Sequence, residues 1–251
     1  MRDKDKWAPS KYVYKKGRLM ASRDENEVGI GSRLMADLIA EAYDENICKY
    51  VKGSLIDLGC GNVPLYEAYR KYIDDNICVD WDKSFHRDDF LDNNCDFSKK
   101  IPYNDGEFNT IILSDVLEHI PEPKHLFIEM NRILTPGGKA LINVPFLYWV
   151  HEQPYDYFRY TGNALQYLAE QSGFRIILIK TIGGAPQVIA DILSKNILRL
   201  PIAGRYMAIA MQYIGYLFTR IKSLRKFSEK TGQFFPLGFF IVLEKVKKAE
   251  E

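Results

Sequence analysis

The stretch Leu55 to Asn62, LIDLGCGN, decides how the chain is read. Leu55, Ile56 and Leu58 surround one acid, Asp57, and two glycines follow with Cys60 between them. An apolar run of this length that ends in glycine is a short buried strand leaving the sheet in a bare turn. Glycine belongs where the backbone must turn with positive φ or let something approach closely. In an open α/β sheet, ligands collect beyond the carboxyl ends of the strands, near the point where strand order reverses. The turn at Gly59 and Gly61 is therefore the first candidate for a binding edge.

The flanking segments extend that pattern. Leu34, Leu38, Ile39, Ala42 and Tyr43 recur at helical spacing within residues 30–50. After the glycine turn a helix is predicted over 64–72, then a strand NICVD ending in Asp80, and a third short strand around Cys95 to Phe97. FNTIILSDVLE carries a fourth strand. A helix over 122–134 is stopped by TPGG, a turn ahead of the fifth strand, KALINVPF. A helix over 162–172 ends at Gly173, FRIILIKTI forms a sixth strand, and LGFFIVLEKV a seventh. Strands alternating with helices predict an α/β, doubly wound, mostly parallel seven-stranded sheet. Runs as apolar as TIIL suit a sheet covered on both faces. The expected organisation is an N-terminal arm or loose helix (1–29), a core (30–183 and 236–251), and a helical insertion (184–235) before the last strand.

Bulk properties exclude little but point inward. The 251 residues are 47% hydrophobic and 27% charged, with a formal net charge of +1. No global field marks nucleic acid as a partner. Cys48, Cys60, Cys78 and Cys95 form no CxxC pair and no Cys/His cluster at zinc spacing, so reduced thiols and a cytoplasmic setting are expected and a metal is not. The basic N-terminus has no apolar core of a secretory signal, and no stretch reaches the ~20 apolar residues of a spanning helix.

The glycine spacing separates two ligand classes. Dinucleotide sites want a third glycine, G-x-G-x-x-G, to seat a pyrophosphate on a helix N-terminus. Here the third position is Pro64. The other class is a nucleoside without phosphate, S-adenosylmethionine, whose ammonium needs an acceptor near the turn and whose ribose diol needs a carboxylate at the end of the second strand. Asp57 and Asp80 stand at those two places.

With LIDLGCGN, CVDWDKS and the long run from Cys95 through Phe146 in order and spacing, the chain resembles a class I S-adenosylmethionine-dependent methyltransferase, within the small-molecule group called type 11. The resemblance covers roughly residues 50–182 and the last strand. It implies that Gly59, Cys60 and Gly61 line the cofactor and that Asp57 holds its methionine end, directly or through water. It implies that Asp80 grips the ribose with Trp81 packed nearby, that Asp96 accepts from the adenine amine, and that Phe97 flanks the ring. Ser114 would face the methionine part, and Asp115, Glu118 and His119 would edge the pocket.

Beyond the fifth strand, PFLYWVHEQPYDYFRYT (145–161) concentrates groups that recognise polar ligands. His151 is the candidate general base, because imidazole titrates near neutrality. Tyr148, Asp156, Tyr157 and Arg159 are candidates for holding the acceptor, or for bracing the next helix. The acceptor is expected to be a small or lipid-linked molecule, with a sugar hydroxyl in glycan assembly first and a quinone or other apolar metabolite second. A cofactor-binding scaffold without catalysis is the third reading. Residues 195–230 hold eight Lys and Arg and one acid, Glu229, around the apolar segment YMAIAMQYIGYLFT. That composition suits peripheral contact with the inner face of an anionic membrane, or a lid or homodimer contact. Nucleic acid is not expected as substrate: NVPF is a distant echo of an Asn/Asp-Pro-Pro-aromatic tetrad, and no basic groove is evident.

Overall fold

The computed structural model describes residues 1–82 and 89–247. The loop over 82–94 and the end of the last core segment lie partly outside the described residues. The first elements are a hairpin, β1 (Tyr12–Lys15) and β2 (Arg18–Ala21), then α1 (Arg33–Tyr50), β3 (Gly53–Leu58), α2 (Tyr66–Tyr69), β4 (Ile73–Asp80) and β5 (Asn93–Asn94). They are followed by β6 (Phe108–Ser114), α3 (Pro123–Ile133), β7 (Leu134–Pro145), α4 (Gly162–Gln171) and β8 (Phe174–Ile182). Three helices, α5 (Ala185–Ile197), α6 (Gly204–Arg220) and α7 (Lys222–Gly232), precede β9 (Gly238–Lys245).

The main sheet has seven strands in the order β5-β4-β3-β6-β7-β9-β8. Pairs from β5 through β7 are parallel, while β9 runs antiparallel between β7 and β8. The predicted seven-stranded, doubly wound class is the observed one. Strand order reverses between β3 and β6, which places the glycine turn at the switch point.

Alternation along the strands splits the core into two layers. Leu55, Cys78, Ile112, Leu141 and Phe240 face α1, the hairpin and part of α5. Ile56, Leu58, Val79, Ile111 and Leu113 face α3 and α4. Burial on both faces is why these strands are continuously apolar. Pro123 opens α3, where a missing N–H costs nothing. Thr161 caps α4 by accepting from the Ala164 N–H at 3.1 Å.

Four local expectations are corrected. The N-terminal arm is no loose helix: Lys16 (φ 53) and Gly17 (φ 74) turn a tight hairpin whose Tyr12, Leu19 and Ala21 are buried. The third strand lies at Asn93–Asn94, because Cys95 donates to the Asp80 carbonyl and Asp96 then turns the chain through Ser98. The helix over 64–72 breaks into α2 and a 3-10 turn at Arg70–Tyr72. TPGG is not a turn ahead of the strand but an excursion inside it: Leu134 pairs with Phe108 and Lys139 with Thr110.

Candidate functional site

The glycine turn is built by backbone constraint. The N–H groups of Gly59 and Cys60 both donate to the Val79 carbonyl, at 2.8 and 3.1 Å. Gly59 has φ +74, and a Cβ there would stand 2.4 Å from Val116 Cγ2. Gly61 (φ 50) and Val63 (φ 49) continue in the left-handed region. For a β-branched residue such as Val63 that is a strained conformation, and strain of this kind concentrates at ligand-binding turns. The Asp80 carboxylate accepts from the Gly61 N–H at 2.9 Å and from the Trp81 N–H at 2.7 Å. The end of β4 is thereby locked to the turn.

Asp57 sits one layer deeper. It is buried, and Tyr69 donates its hydroxyl to Asp57 Oδ2 at 3.3 Å. Burial pushes its carboxyl up to about 7, against the Tyr69 hydrogen bond and with help from the Asp80 charge.

The opposite wall combines acids and rings. Asp96 accepts from the N–H and hydroxyl of Ser98 and pairs with Lys99 at 3.0 Å. The Ser98 hydroxyl is the main reason its carboxyl lies below the usual range. Trp81 meets Tyr155 edge to face at 4.8 Å. Asp115, with φ +54, accepts from Lys11 at 2.8 Å and from Asn143 at 2.5 Å. Burial works against the Lys11 charge, but Asp115, with Tyr12 and Tyr148, together outweigh it and keep the ammonium protonated.

A third cluster closes the site. Glu118, in the 3-10 turn Leu117–His119, is fully buried, and its backbone carbonyl accepts from Tyr157 and Phe158. His119 Nε2 and His151 Nε2 each lie 3.8 Å from Glu118 Oε1. Asp156 accepts the two arms of Arg159 at 2.5 and 2.7 Å and the His151 N–H at 2.9 Å. Burial raises the Asp156 carboxyl, yet the Arg159 fork and His151 bring it down to about 2.

One cavity of about 580 Å³, within the ~300–1,000 Å³ usual for small-molecule sites, joins these walls. Gly59, Cys60, Gly61, Asp80, Trp81, Asp96, Phe97, Ser114, Asp115, His119 and Tyr157 line it. Asp57, Tyr148, His151, Asp156 and Arg159 do not. His151 stands behind His119, with ring centroids 5.0 Å apart, so the imidazole on the cavity is His119 rather than the predicted base. Asp156 and Arg159 brace the loop through one another. Tyr148 bonds Ser32 at 2.9 Å under the Lys195 ammonium, which ties the loop after β7 to the insertion. Lining residues the sequence reading missed include Ser10, Lys11, Asn26 and Glu27 from the N-terminal segment, and Glu152 and Tyr155. The Lys16-Gly17 pair between alternating residues was a hairpin signal, but nothing local indicates that Lys11 reaches Asp115, 104 residues away.

The charge of the lining selects the ligand class. Glu27, Asp80, Asp96, Asp115 and Glu152 face the cavity, whereas Lys11 is the sole Lys or Arg among the described lining residues and is already paired. Such a wall repels a pyrophosphate and favours a phosphate-free nucleoside carrying positive charge. The rings of Trp81 and Phe97 supply its apolar walls. The residues present fit S-adenosylmethionine.

Comparison with known proteins leads to the same place. A family model described as a methyltransferase domain matches residues 28–179, more than half of the chain. An uncharacterised methyltransferase of Schizosaccharomyces pombe is 26% identical over 118 residues, which cover 39% of this chain and 42% of that protein. The chain thus spans less than half the length of that curated relative. Among solved structures, the cyclase SpnF superposes with a TM-score of 0.57 at 16% identity, covering 96% of this chain and 89% of that one. An S-adenosylmethionine-dependent methyltransferase from Archaeoglobus fulgidus gives 0.54 at 15% identity, over 85% and 97%. A Haemonchus contortus phosphoethanolamine N-methyltransferase, solved with phosphomonomethylethanolamine and S-adenosylhomocysteine, gives 0.50 at 13% identity, over 90% and 58%. At such identities these likenesses speak for the fold alone.

Proposed function

The chain belongs to the methyltransferase-domain family, with S-adenosylmethionine as its cofactor, and we propose that it methylates a hydroxyl of a small or lipid-linked acceptor, a sugar in glycan assembly first among them. The observation that carries this reading is the position of His119, Glu152, Tyr155 and Tyr157 on the same cavity as the glycine turn. When bound, the cofactor supplies a methyl group on a cationic sulfonium. Asp80 is held where a ribose diol would be gripped, and Asp96 and Phe97 stand where a base would lie. Alignment of acceptor and methyl carbon accounts for much of the acceleration such enzymes achieve. A hydroxyl acceptor also benefits from a group that takes its proton, and the Glu152 carboxylate stands on the cavity wall for that role. The acidic lining serves the cationic cofactor, and the polar rings leave room for an uncharged, hydroxyl-rich partner.

An amphiphilic acceptor is favoured by the insertion. Ile189, Ile192, Leu200, Ile202, Tyr206 and Tyr213 are exposed on α5, α6 and the turn between them. Arg199, Lys222, Lys226 and Lys230 make no ion pair among the described residues. Exposed apolar residues beside unpaired cations support contact with an anionic lipid surface. Those same exposed groups support the second reading, a quinone or similar apolar acceptor. No described helix is long and apolar enough to cross a membrane.

Calorimetric titration with S-adenosylhomocysteine tests the cofactor half, beside Asp80→Ala and Asp80→Asn. Binding by the wild type, weakened in both variants, is expected. Transfer of labelled methyl from the cofactor to lipid-linked sugars, but not to quinones, then supports the first acceptor class; the reverse result overturns it.

A further inference from the structure

We propose that Glu118, His119 and His151 bind a divalent first-row transition-metal ion in the wall of the cofactor cavity. Their ligand atoms lie within 4.8 Å of one another.

The first reason is an unsatisfied acid. Glu118 is fully buried, and neither carboxylate oxygen has a hydrogen-bond partner among the described residues. An isolated buried carboxylate is too costly to keep without a cation or a proton. The second reason is the orientation of the two imidazoles. His119 Nδ1 is 3.0 Å from the Tyr155 carbonyl. His151 Nδ1 is 3.3 Å from both the Trp149 carbonyl and Asp156 Oδ2. Acceptors at both Nδ1 atoms hold the ring protons there and leave the Nε2 lone pairs turned toward Glu118. His119 Nε2 is buried without a partner of its own. At 3.8 Å the Nε2 to carboxylate distances are too long for hydrogen bonds. They suit ligands that share one ion at about 2.0–2.2 Å each.

The surroundings match a metal site beyond its ligands. Ligating histidines characteristically give their other nitrogen to a carboxylate or carbonyl, as both do here, and Asp156 is itself fixed by Arg159. Two imidazoles and one carboxylate favour Zn²⁺, Fe²⁺ or Mn²⁺ over Ca²⁺ or Mg²⁺, which prefer all-oxygen sites. Glu152 Oε2, 3.8 Å from His119 Nε2, can complete a fourth position. Because His119 and Glu152 line the cavity, a remaining position opens toward it. An acceptor hydroxyl is a fitting ligand there; that use rests on the methyl-transfer reading, whereas ion binding does not.

The test is titration of chelator-treated full-length protein with Co²⁺, followed by visible absorption, then competition with Zn²⁺. One equivalent of Co²⁺, displaced by Zn²⁺, is expected. Glu118→Gln and His151→Gln should each weaken binding at least ten-fold, and Asp156→Asn about ten-fold through the outer sphere. His125→Gln should leave it unchanged. Circular dichroism and S-adenosylhomocysteine titration of every variant report folding separately. Wild-type protein that binds the nucleoside but takes up no Co²⁺ at millimolar concentration overturns the metal site and leaves Glu118 protonated. Equal Co²⁺ uptake by wild type and both ligand variants also overturns it. Uptake of Co²⁺ without nucleoside binding keeps the metal site and rejects the cofactor reading instead.

Discussion

Asp57 shows how burying one acid makes stability depend on pH. Its carboxyl is pushed up to about 7 in the folded chain, while unfolded it ionises near the ordinary value of 3.8. Between about pH 4 and 7 the unfolded chain releases a proton that the native state keeps. Stability from this group is therefore present at low pH, falls as pH rises through that window, and levels off above it. Urea denaturation of Asp57→Asn should show that slope removed, with a gain over wild type approaching roughly 4 kcal/mol above pH 7 and none below pH 4. Gly59 is constrained differently. Gly59→Ala meets both a left-handed backbone and Val116, and should lose about 2 kcal/mol or more in denaturant melts. Adding Val116→Ala should recover the steric part and leave the backbone part. Gly59 was legible beforehand as a turn at the binding edge, whereas Asp57, expected at the cofactor's methionine end, lies behind the cavity wall against Tyr69. Glu118 was less legible: VLEHI looks like any helix start, and only the fold shows the acid buried between two imidazoles.

At the scale of elements, strands were easier to find than their surroundings. Apolar runs and turn residues located every long strand, because those signals are local. The excursion at TPGG was missed because its cause is a pairing between Leu134 and Phe108 that skips to Thr110 and Lys139. The docking of the insertion was equally hidden. Gln212 on α6 accepts from the Leu34 N–H at 2.6 Å and donates to the Gly31 carbonyl at 3.1 Å and to Ser194 at 2.5 Å. Gln187 on α5 joins Gly184, Gly215 and Ser228 in the same manner. Replacing Gln212 by Leu strands several buried polar groups at about 1–3 kcal/mol each. Hydrogen exchange should then show α5 and α6 opening more readily, with β3 and β6 unchanged. Lys11, just before the N-terminal hairpin, pairs with Asp115, and Arg23, just after it, pairs with Asp37. Lys11→Ala should weaken nucleoside affinity about ten-fold in calorimetry, since a half-buried carboxylate on the cavity loses its cation.

Across the whole molecule, the acidic cavity and the basic insertion stand apart. The cavity wall is acidic, and the insertion carries unpaired cations among exposed apolar side chains. Flotation with anionic vesicles should recover the protein at low salt and release it as salt screens the contact, while neutral vesicles recover less. Charge reversal at Lys222 and Lys226 should halve recovery or more without changing nucleoside binding. The matched family region ends at residue 179, just before this insertion.

The placement of β9 has a consequence for how the chain assembles. The half of the sheet that carries the glycine turn pairs neighbours in order: β3 with β4 and β6, then β6 with β7. The other half cannot close this way, because among the described residues β8 pairs only with β9, whose residues follow three helices later. Contacts so distant in sequence form slowly, since a long loop must first be drawn shut. The nucleotide half can therefore acquire its shape while β8 still waits as a bare edge. Until residues 238–245 slot between β7 and β8, the molecule is most exposed to mispairing with a second chain.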